Sequence, residues 1–281
     1  MSGRRLRHLK SRIMTGAVFA CVVVAVLPLV FILATLVLRG ASSLSLDFFT
    51  QTPAPAGESG GGVVNAIIGS LIMVGTASLI GVPVGIAAGV HAAEYPGTKL
   101  AWVTRFVADV LNGTPSIVVG VFAWTWIVAS QKRFSAFAGA AALAILMVPM
   151  VMRTTEEMIR LVPHSLREAA LALGYSRWRT TLKVVLMTGL PGIVTGTLLA
   201  VARVAGETAP LLFTALGSQY IVTRLDEPMS ALPLTVFSYA TGPFEEWHRY
   251  AWAAALVLIL LVFVLNIVAR VVTARMGGAR G

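Results

Sequence analysis

Residues 165–174 read Ser-Leu-Arg-Glu-Ala-Ala-Leu-Ala-Leu-Gly, a short helical segment set in the longest basic loop of an otherwise apolar chain. Ser165 and Glu168 have the S-x-x-E spacing of a capping box, in which the hydroxyl accepts the third-position amide and the carboxylate reaches back to the cap amide. Pro163 ends whatever precedes the segment. Leu166, Ala169, Ala170 and Leu173 recur at three- and four-residue steps, and Gly174 supplies the left-handed residue that closes such a helix. Ser176 is placed to cap a second helix. A helix-Gly-helix element in a basic loop between two apolar stretches predicts a docking element for another protein; a plain loop helix is the simpler alternative.

The flanks are apolar because the whole chain is. Its 281 residues are 57% hydrophobic and only 12% charged, with a mean hydropathy of +0.84. That is too little charge to cover a water-soluble surface of this size, so the expected solvent is lipid. Six stretches approach or exceed the roughly 20 residues that cross a bilayer. They run at about Ile13 to Leu38, Val63 to Val90, Gly113 to Ala129, Phe134 to Met152, Leu190 to Leu212 and Ala251 to Val272. The first is longer than the apolar core of a cleaved signal peptide. The expected fold is therefore all-α: a polytopic membrane protein of about six transmembrane helices with a cytoplasmic helix-Gly-helix loop.

Six spans return both termini to one side, and basic residues are retained on the cytoplasmic side. With the termini inside, 16 of the 22 lysines and arginines are cytoplasmic and 5 external, Lys132 and Arg133 against the trend, while Arg203 falls within a span. The formal charge of +10 is accounted for by topology and contact with anionic lipid. No basic stripe carries interleaved aromatics, so no nucleic-acid partner is expected. Cys21 is the only cysteine, which excludes an intrachain disulfide. His8, His91, His164 and His248 are scattered with no second ligand at metal spacing, so no metal is expected. No nucleophile, base and orienter stand at usable spacing, so the chain is not expected to be an enzyme.

The chain divides into a basic N-terminus at 1–12, a first span with external loop at 13–62, a core at 63–272 containing the docking loop at 153–188, and a tail at 273–281. The external segment Thr52 to Gly62 is rich in proline and glycine and reads as a mobile loop. Gly81, Gly85 and Gly89 recur at four-residue steps with Pro83 between, a face on which another helix can approach closely. From Lys99 to Ala129 the sequence is too long and too polar at its start for one span. Lys99 to Leu111, with Arg105 and Asp109 on one face, reads as an amphipathic interfacial helix. Asn112-Gly113-Thr114-Pro115 then forms a cap with Pro115 at the first helical position of a short span. Interrupted helices bring polar backbone to substrate cavities, so Asn112, Thr114 and Ser116 are pathway candidates; a simple helix start fits the same residues.

Arg203 and Glu207 lie inside the expected fifth span, four residues apart on one face. Each ionisable group costs roughly 2.5 to 3.5 kcal/mol at the centre of an inserting helix, so both need a reason. They can pair with each other, and Pro210 would free the Gly206 carbonyl beside them. A guanidinium presents planar bidentate donors that match a tetrahedral oxyanion, so Arg203 suits passage of phosphate or sulfate, with Glu207 moderating affinity. An ion pair that only locks helices together is the alternative.

Glu168-Ala169-Ala170, three residues, Gly174, then nine residues to Val184 and Leu186 resembles the EAA loop of bacterial ABC importer permeases. That pattern usually ends in Leu-Pro, whereas Met187 follows Leu186 and the next proline is Pro191. Asn112-Gly113-Thr114-Pro115-Ser116-Ile117-Val118-Val119-Gly120 and the stretch Ala202 to Ala215 resemble phosphate importer permeases of the PstA type, over most of the chain from about Gly60. PstC-type sister permeases typically have Met-Ala where this chain has Ala209-Pro210. The resemblance implies a type I ABC importer permease in a bacterial cytoplasmic membrane. It implies that Ser165, Glu168, Ala169, Ala170 and Gly174 couple to an ATPase, and that Arg203 and Glu207, with Thr208, Asn112, Thr114 and Ser116, line the substrate pathway. It further implies a PstC-type permease, two PstB-type ATP-binding subunits and a PstS-type external phosphate-binding protein as partners. The chain has no G-x-x-x-x-G-K-[ST] loop, so ATP and magnesium would be bound by the partner ATPase, with no cofactor on this chain. A permease for another oxyanion such as sulfate or molybdate, or an ion-gradient carrier using Glu207, are the competing readings.

Overall fold

The computed structural model describes residues 2–55, 58 and 60–278. The chain is helical throughout its ordered elements: α1 (Ser2–Ala41), α2 (Leu46–Thr50), α3 (Val64–Glu94), α4 (Lys99–Gly113) and α5 (Ser116–Ala123), which runs through a π-helical turn (Trp124–Val128) into α6 (Ala129–Gln131). There follow α7 (Ala136–Arg160), α8 (His164–Ala172) and α9 (Arg177–Thr180), which passes through a second π-helical turn (Thr181–Val185) into α10 (Leu186–Val204). The last three are α11 (Ala209–Thr214), α12 (Leu232–Ala240) and α13 (Glu245–Gly278). Five helical stretches are long and apolar enough to cross a membrane, and α4 with α5–α6 makes a sixth if that pair, bent by 107°, counts as one.

Burial sorts these helices into a centre and a periphery. In α7, 61% of the membrane-length window is buried, against 6% in α1. Along α7 run Ala140, Leu143, Ala144, Met147 and Val151, which meet Met73 and Ala77 of α3, Ala200 and Val204 of α10, and Leu211 of α11 in the main core. The glycine face of α3 is what lets it lie along α7. A Cβ built on Gly85 would stand 2.7 Å from the Val151 Cβ, and one on Gly89 would stand 2.5 Å from the Met152 carbonyl oxygen. α1 leans on α13, with Gly40 against the Trp252 carbonyl and the Arg39 guanidinium 5.5 Å over the Trp252 ring. The rest of α1 presents Val18, Phe19, Leu27, Phe31 and Leu38 outward, as a lipid-facing helix does.

Several expectations need correcting. The fifth span does not run to Leu212: α10 ends at Val204, and the chain breaks at 205–208 before α11. Pro210 sits in the first turn of α11, where a missing amide costs nothing, so it does not interrupt a span. Pro115 is the N-cap residue of α5, one place before the first helical position. The segment 52–62 is held at its described ends, where the Gly62 amide donates to the Thr52 carbonyl, the Val63 amide to the Phe48 carbonyl, and Pro53 bridges Gly61. α2, capped by Ser45, carries the buried Phe48 that those bonds rest on and was not foreseen.

Candidate functional site

Two places gather the residues singled out by sequence. The first is α8. Its end is a Schellman motif: the Tyr175 amide donates to the Ala170 carbonyl at 3.1 Å and the Gly174 amide to the Leu171 carbonyl at 3.0 Å, with Gly174 at φ +85°. The expected capping box is absent. Pro163 occupies the N-cap, the helix starts at His164, and Ser165 lies one residue inside it with no side-chain cap. With the helix starting two residues earlier than the capping box requires, the Glu168 carboxylate has no cap amide to reach, and it lies exposed without an ion pair among the described residues. Ser176 does hold the N-cap place of α9, but its side chain makes no capping bond.

The apolar stripe of α8 divides. Ala170 is buried, whereas Leu166, Leu171 and, at 80% exposure, Leu173 point away from the protein, joined by Leu161 and Trp178. Ser165, Glu168, Ala169 and Gly174 are also exposed. Arg167 instead turns inward, pairing with Glu94 at the end of α3 and donating to the Ile159 carbonyl at 3.0 Å. α8 is thus anchored on one side and offers a mixed apolar and acidic surface on the other.

The second place is a cavity of about 190 Å³ where two chain breaks face each other. The 107° bend between α4 and α5 brings Asn112, Thr114 and Ser116 to it, and the end of α10 with the break after it brings Arg203 and Glu207. Leu146 and Met150 of α7 supply the apolar side. The positive end of the α5 dipole opens here, and Arg203 sits in the last turn of α10, where the negative end favours a cation. The Thr114 hydroxyl donates to the Val110 carbonyl at 2.7 Å, so toward the cavity it can only accept.

Arg203 and Glu207 share this cavity without an ion pair between them among the described residues. The expected i,i+4 pairing on one helix face fails because the helix stops at Val204, between them. Arg203 Nη1 lies 3.6 Å from the Met150 sulfur, a weak acceptor that leaves most of the guanidinium fork unengaged. Thr208 does not line the cavity. It occupies the N-cap place of α11, where its carbonyl accepts the Leu211 and Leu212 amides at 3.1 and 3.2 Å. α11 packs on α5, with Pro210 against Gly120.

A third cluster was missed. Glu156 of α7, 2% exposed, accepts from Arg105 of α4 at 2.6 Å and from Arg153 at 3.2 Å, and pairs with Arg160; Arg153 also pairs with Asp109. Arg105 and Asp109 of α4 therefore face α7 through their ion-pair partners. The spacing Arg153, Glu156, Arg160 at i, i+3 and i+7 was the signal available in the sequence.

Residues 81–278 match the family model of the binding-protein-dependent transport system inner membrane component. The phosphate transport system permease protein PstA of Yersinia pestis is 48% identical over 271 residues, covering 96% of this chain and 92% of that one. The protein of the same description from Haemophilus influenzae is 45% identical over 266 residues, covering 94% of each. PstA 1 of Mycobacterium tuberculosis is 39% identical over 272 residues, covering 95% and 88%. Among solved structures, a chain of a bacterial ABC transporter involved in alginate import aligns with TM-score 0.69 over 97% of this chain and 99% of that one, at 13% identity. A chain of the inward-facing MetNI methionine ABC transporter aligns with TM-score 0.64 over 76% and 95%, at 18% identity. At such identities the likeness is one of fold, that of the type I ABC importer permeases. The chain is a multi-pass membrane protein that belongs to the binding-protein-dependent transport system inner membrane components, and within them to the PstA permeases.

Proposed function

We propose that this chain is the transmembrane permease subunit of an ATP-driven inorganic phosphate importer. The observation that carries the reading is the cavity in which Arg203, among the described residues, pairs with no carboxylate while Ser116 and the amino end of α5 face the same space. A fork of charged donors opposite a helix N-terminus matches a tetrahedral oxyanion. Glu207 in the same cavity opposes tight retention, which suits a transient stop on a pathway. The PstA relatives supply the choice of phosphate among oxyanions.

The rest of the machinery follows from the same reading. The exposed face of α8, with Ser165, Glu168, Ala169 and Gly174 outward and Ala170 seated inward, docks an ATP-binding subunit. A PstC-type permease completes the pathway, two PstB-type subunits hydrolyse ATP, and a PstS-type protein delivers phosphate from outside. This chain converts their motion into alternating access and catalyses nothing itself. Both termini and the α8 loop lie in the cytoplasm, as the distribution of basic residues requires.

The test is radiolabelled phosphate uptake, with unlabelled sulfate as competitor, in cells lacking their own importer and supplied with the operon carrying wild-type or Glu168→Arg permease. Uptake that resists sulfate and disappears in the variant, with the protein still in the membrane, is the expected result. Uptake unchanged in Glu168→Arg would overturn docking, and an intact complex without phosphate uptake would point to another oxyanion.

A further inference from the structure

α3 ends on an acidic residue, where a helix disfavours one. The carbonyl end carries the negative pole of the dipole, and Glu94 is the last residue of α3. Its side chain is 14% exposed and engaged at both oxygens: one pairs with Arg167 of α8, and the other lies 3.2 Å from the Thr181 hydroxyl, which shares its single proton with the Arg177 carbonyl at 3.1 Å. Arg167, 18% exposed, spends its second amino group on the Ile159 carbonyl in the last turn of α7. Thr181 opens the π-helical turn at the foot of α10. One carboxylate therefore gathers the ends of α3 and α7, the middle of α8 and the foot of α10.

The covalent links of α8 are of a different kind. Toward α7 it is joined through Leu161, Val162 and Pro163, and toward α9 through Gly174 in the left-handed region. These are short connections, with Val162 buried and the Gly174 turn closed by two backbone hydrogen bonds. No covalent link leads from α8 to α3 at all, yet α3 is the helix that lies along α7 through Gly81, Gly85 and Gly89. Among the described residues, the charged contact from α8 to α3 is this one.

We infer that Glu94 is a positioning residue that carries movement of α8 into α3, the Glu94–Arg167–Thr181 contact acting as the latch between docking helix and membrane core. The inference rests on the reading of α8 as the ATPase-docking helix. It assigns Arg167 to the inward side of the docking motif, separate from the exposed residues that would meet the ATPase.

The test uses the whole complex, expressed from its operon and reconstituted in proteoliposomes, with phosphate uptake and ATP hydrolysis measured together. Glu94→Gln is expected to hydrolyse ATP within about twofold of wild type while uptake per ATP falls at least about tenfold. The charge swap, Glu94→Arg with Arg167→Glu, is expected to recover at least about a third of the coupling. Hydrogen exchange of residues 85–95 adds a readout that needs no substrate: ATP changes it in wild type and in the swap, and leaves it unchanged in Glu94→Gln. Uptake per ATP equal to wild type in Glu94→Gln, or a swap that assembles without recovering, would overturn the latch. A wild-type complex that hydrolyses ATP without importing phosphate counts against the substrate reading alone, and hydrogen exchange then decides the latch. Failure of the ATPase to associate with the wild-type chain would remove both.

Discussion

Arg105 Nε donates to the Glu156 carboxylate at 2.6 Å, fastening α4 to α7 at a point where Glu156 is almost wholly out of solvent. Breaking a buried pair by removing one partner leaves the others uncompensated and costs about 3–5 kcal/mol. Glu156→Ala, which leaves Arg105, Arg153 and Arg160 facing one another, is expected to lower the thermal unfolding midpoint in detergent clearly. Asp109→Ala, whose partner Arg153 keeps Glu156, is expected to lower it far less.

The glycine face of α3 gives a graded series. Gly81 leaves 3.3 Å to its nearest neighbours, whereas Gly89 leaves 2.5 Å to the Met152 carbonyl oxygen, an atom that cannot rotate away. Gly81→Ala is expected to be close to neutral. Gly89→Ala is expected to cost about 1–3 kcal/mol through overpacking, read as loss of folded protein on heating.

Arg203→Lys keeps the charge of the cavity but replaces a planar fork with a point charge. Phosphate uptake is expected to fall by about tenfold in Arg203→Lys and by at least about a hundredfold in Arg203→Gln, with ATPase association unchanged. Equal loss of ATPase association would mean that Arg203 holds the fold and leaves transport to other groups.

Gly174 tests the joint between α8 and α9. At φ +85° an alanine pays roughly 1–2 kcal/mol for the left-handed conformation, and asparagine less. Co-purification of the ATP-binding subunit is expected to drop in Gly174→Ala and to be partly kept in Gly174→Asn.

The sequence was most legible where periodicity and chain chemistry act locally. The long apolar helices, a separate helix starting at Lys99, the bend at Asn112 to Ser116 and the glycine at the end of α8 all follow from hydropathy, proline and the left-handed region. The cavity was legible only in part: Asn112, Thr114, Ser116, Arg203 and Glu207 come together as candidates, but a helix drawn through to Leu212 put Arg203 and Glu207 on one face and paired them. Gly206 and Thr208 were signs of a break that the apolar residues on either side overrode. The capping box at Ser165 failed for a similar reason, since Pro163 starts the helix sooner than the side-chain pattern does. The Arg153, Glu156, Arg160 spacing was local, but the contacts of that cluster with Arg105 and Asp109, and the Glu94 latch, join residues 44 to 87 positions apart in the chain, which no local pattern reports.

α1 rests on α13, so as the chain leaves the ribosome α1 emerges long before the helix it packs against. Until Trp252 and Leu256 arrive, Gly40 faces acyl chains, and the core of α3, α7 and α10 must assemble without its outer brace. Biosynthesis of this chain therefore includes a closure step in which α1 is gathered onto α13, and a nascent chain halted before residue 245 lacks the Trp252 and Leu256 contacts that Gly40 makes.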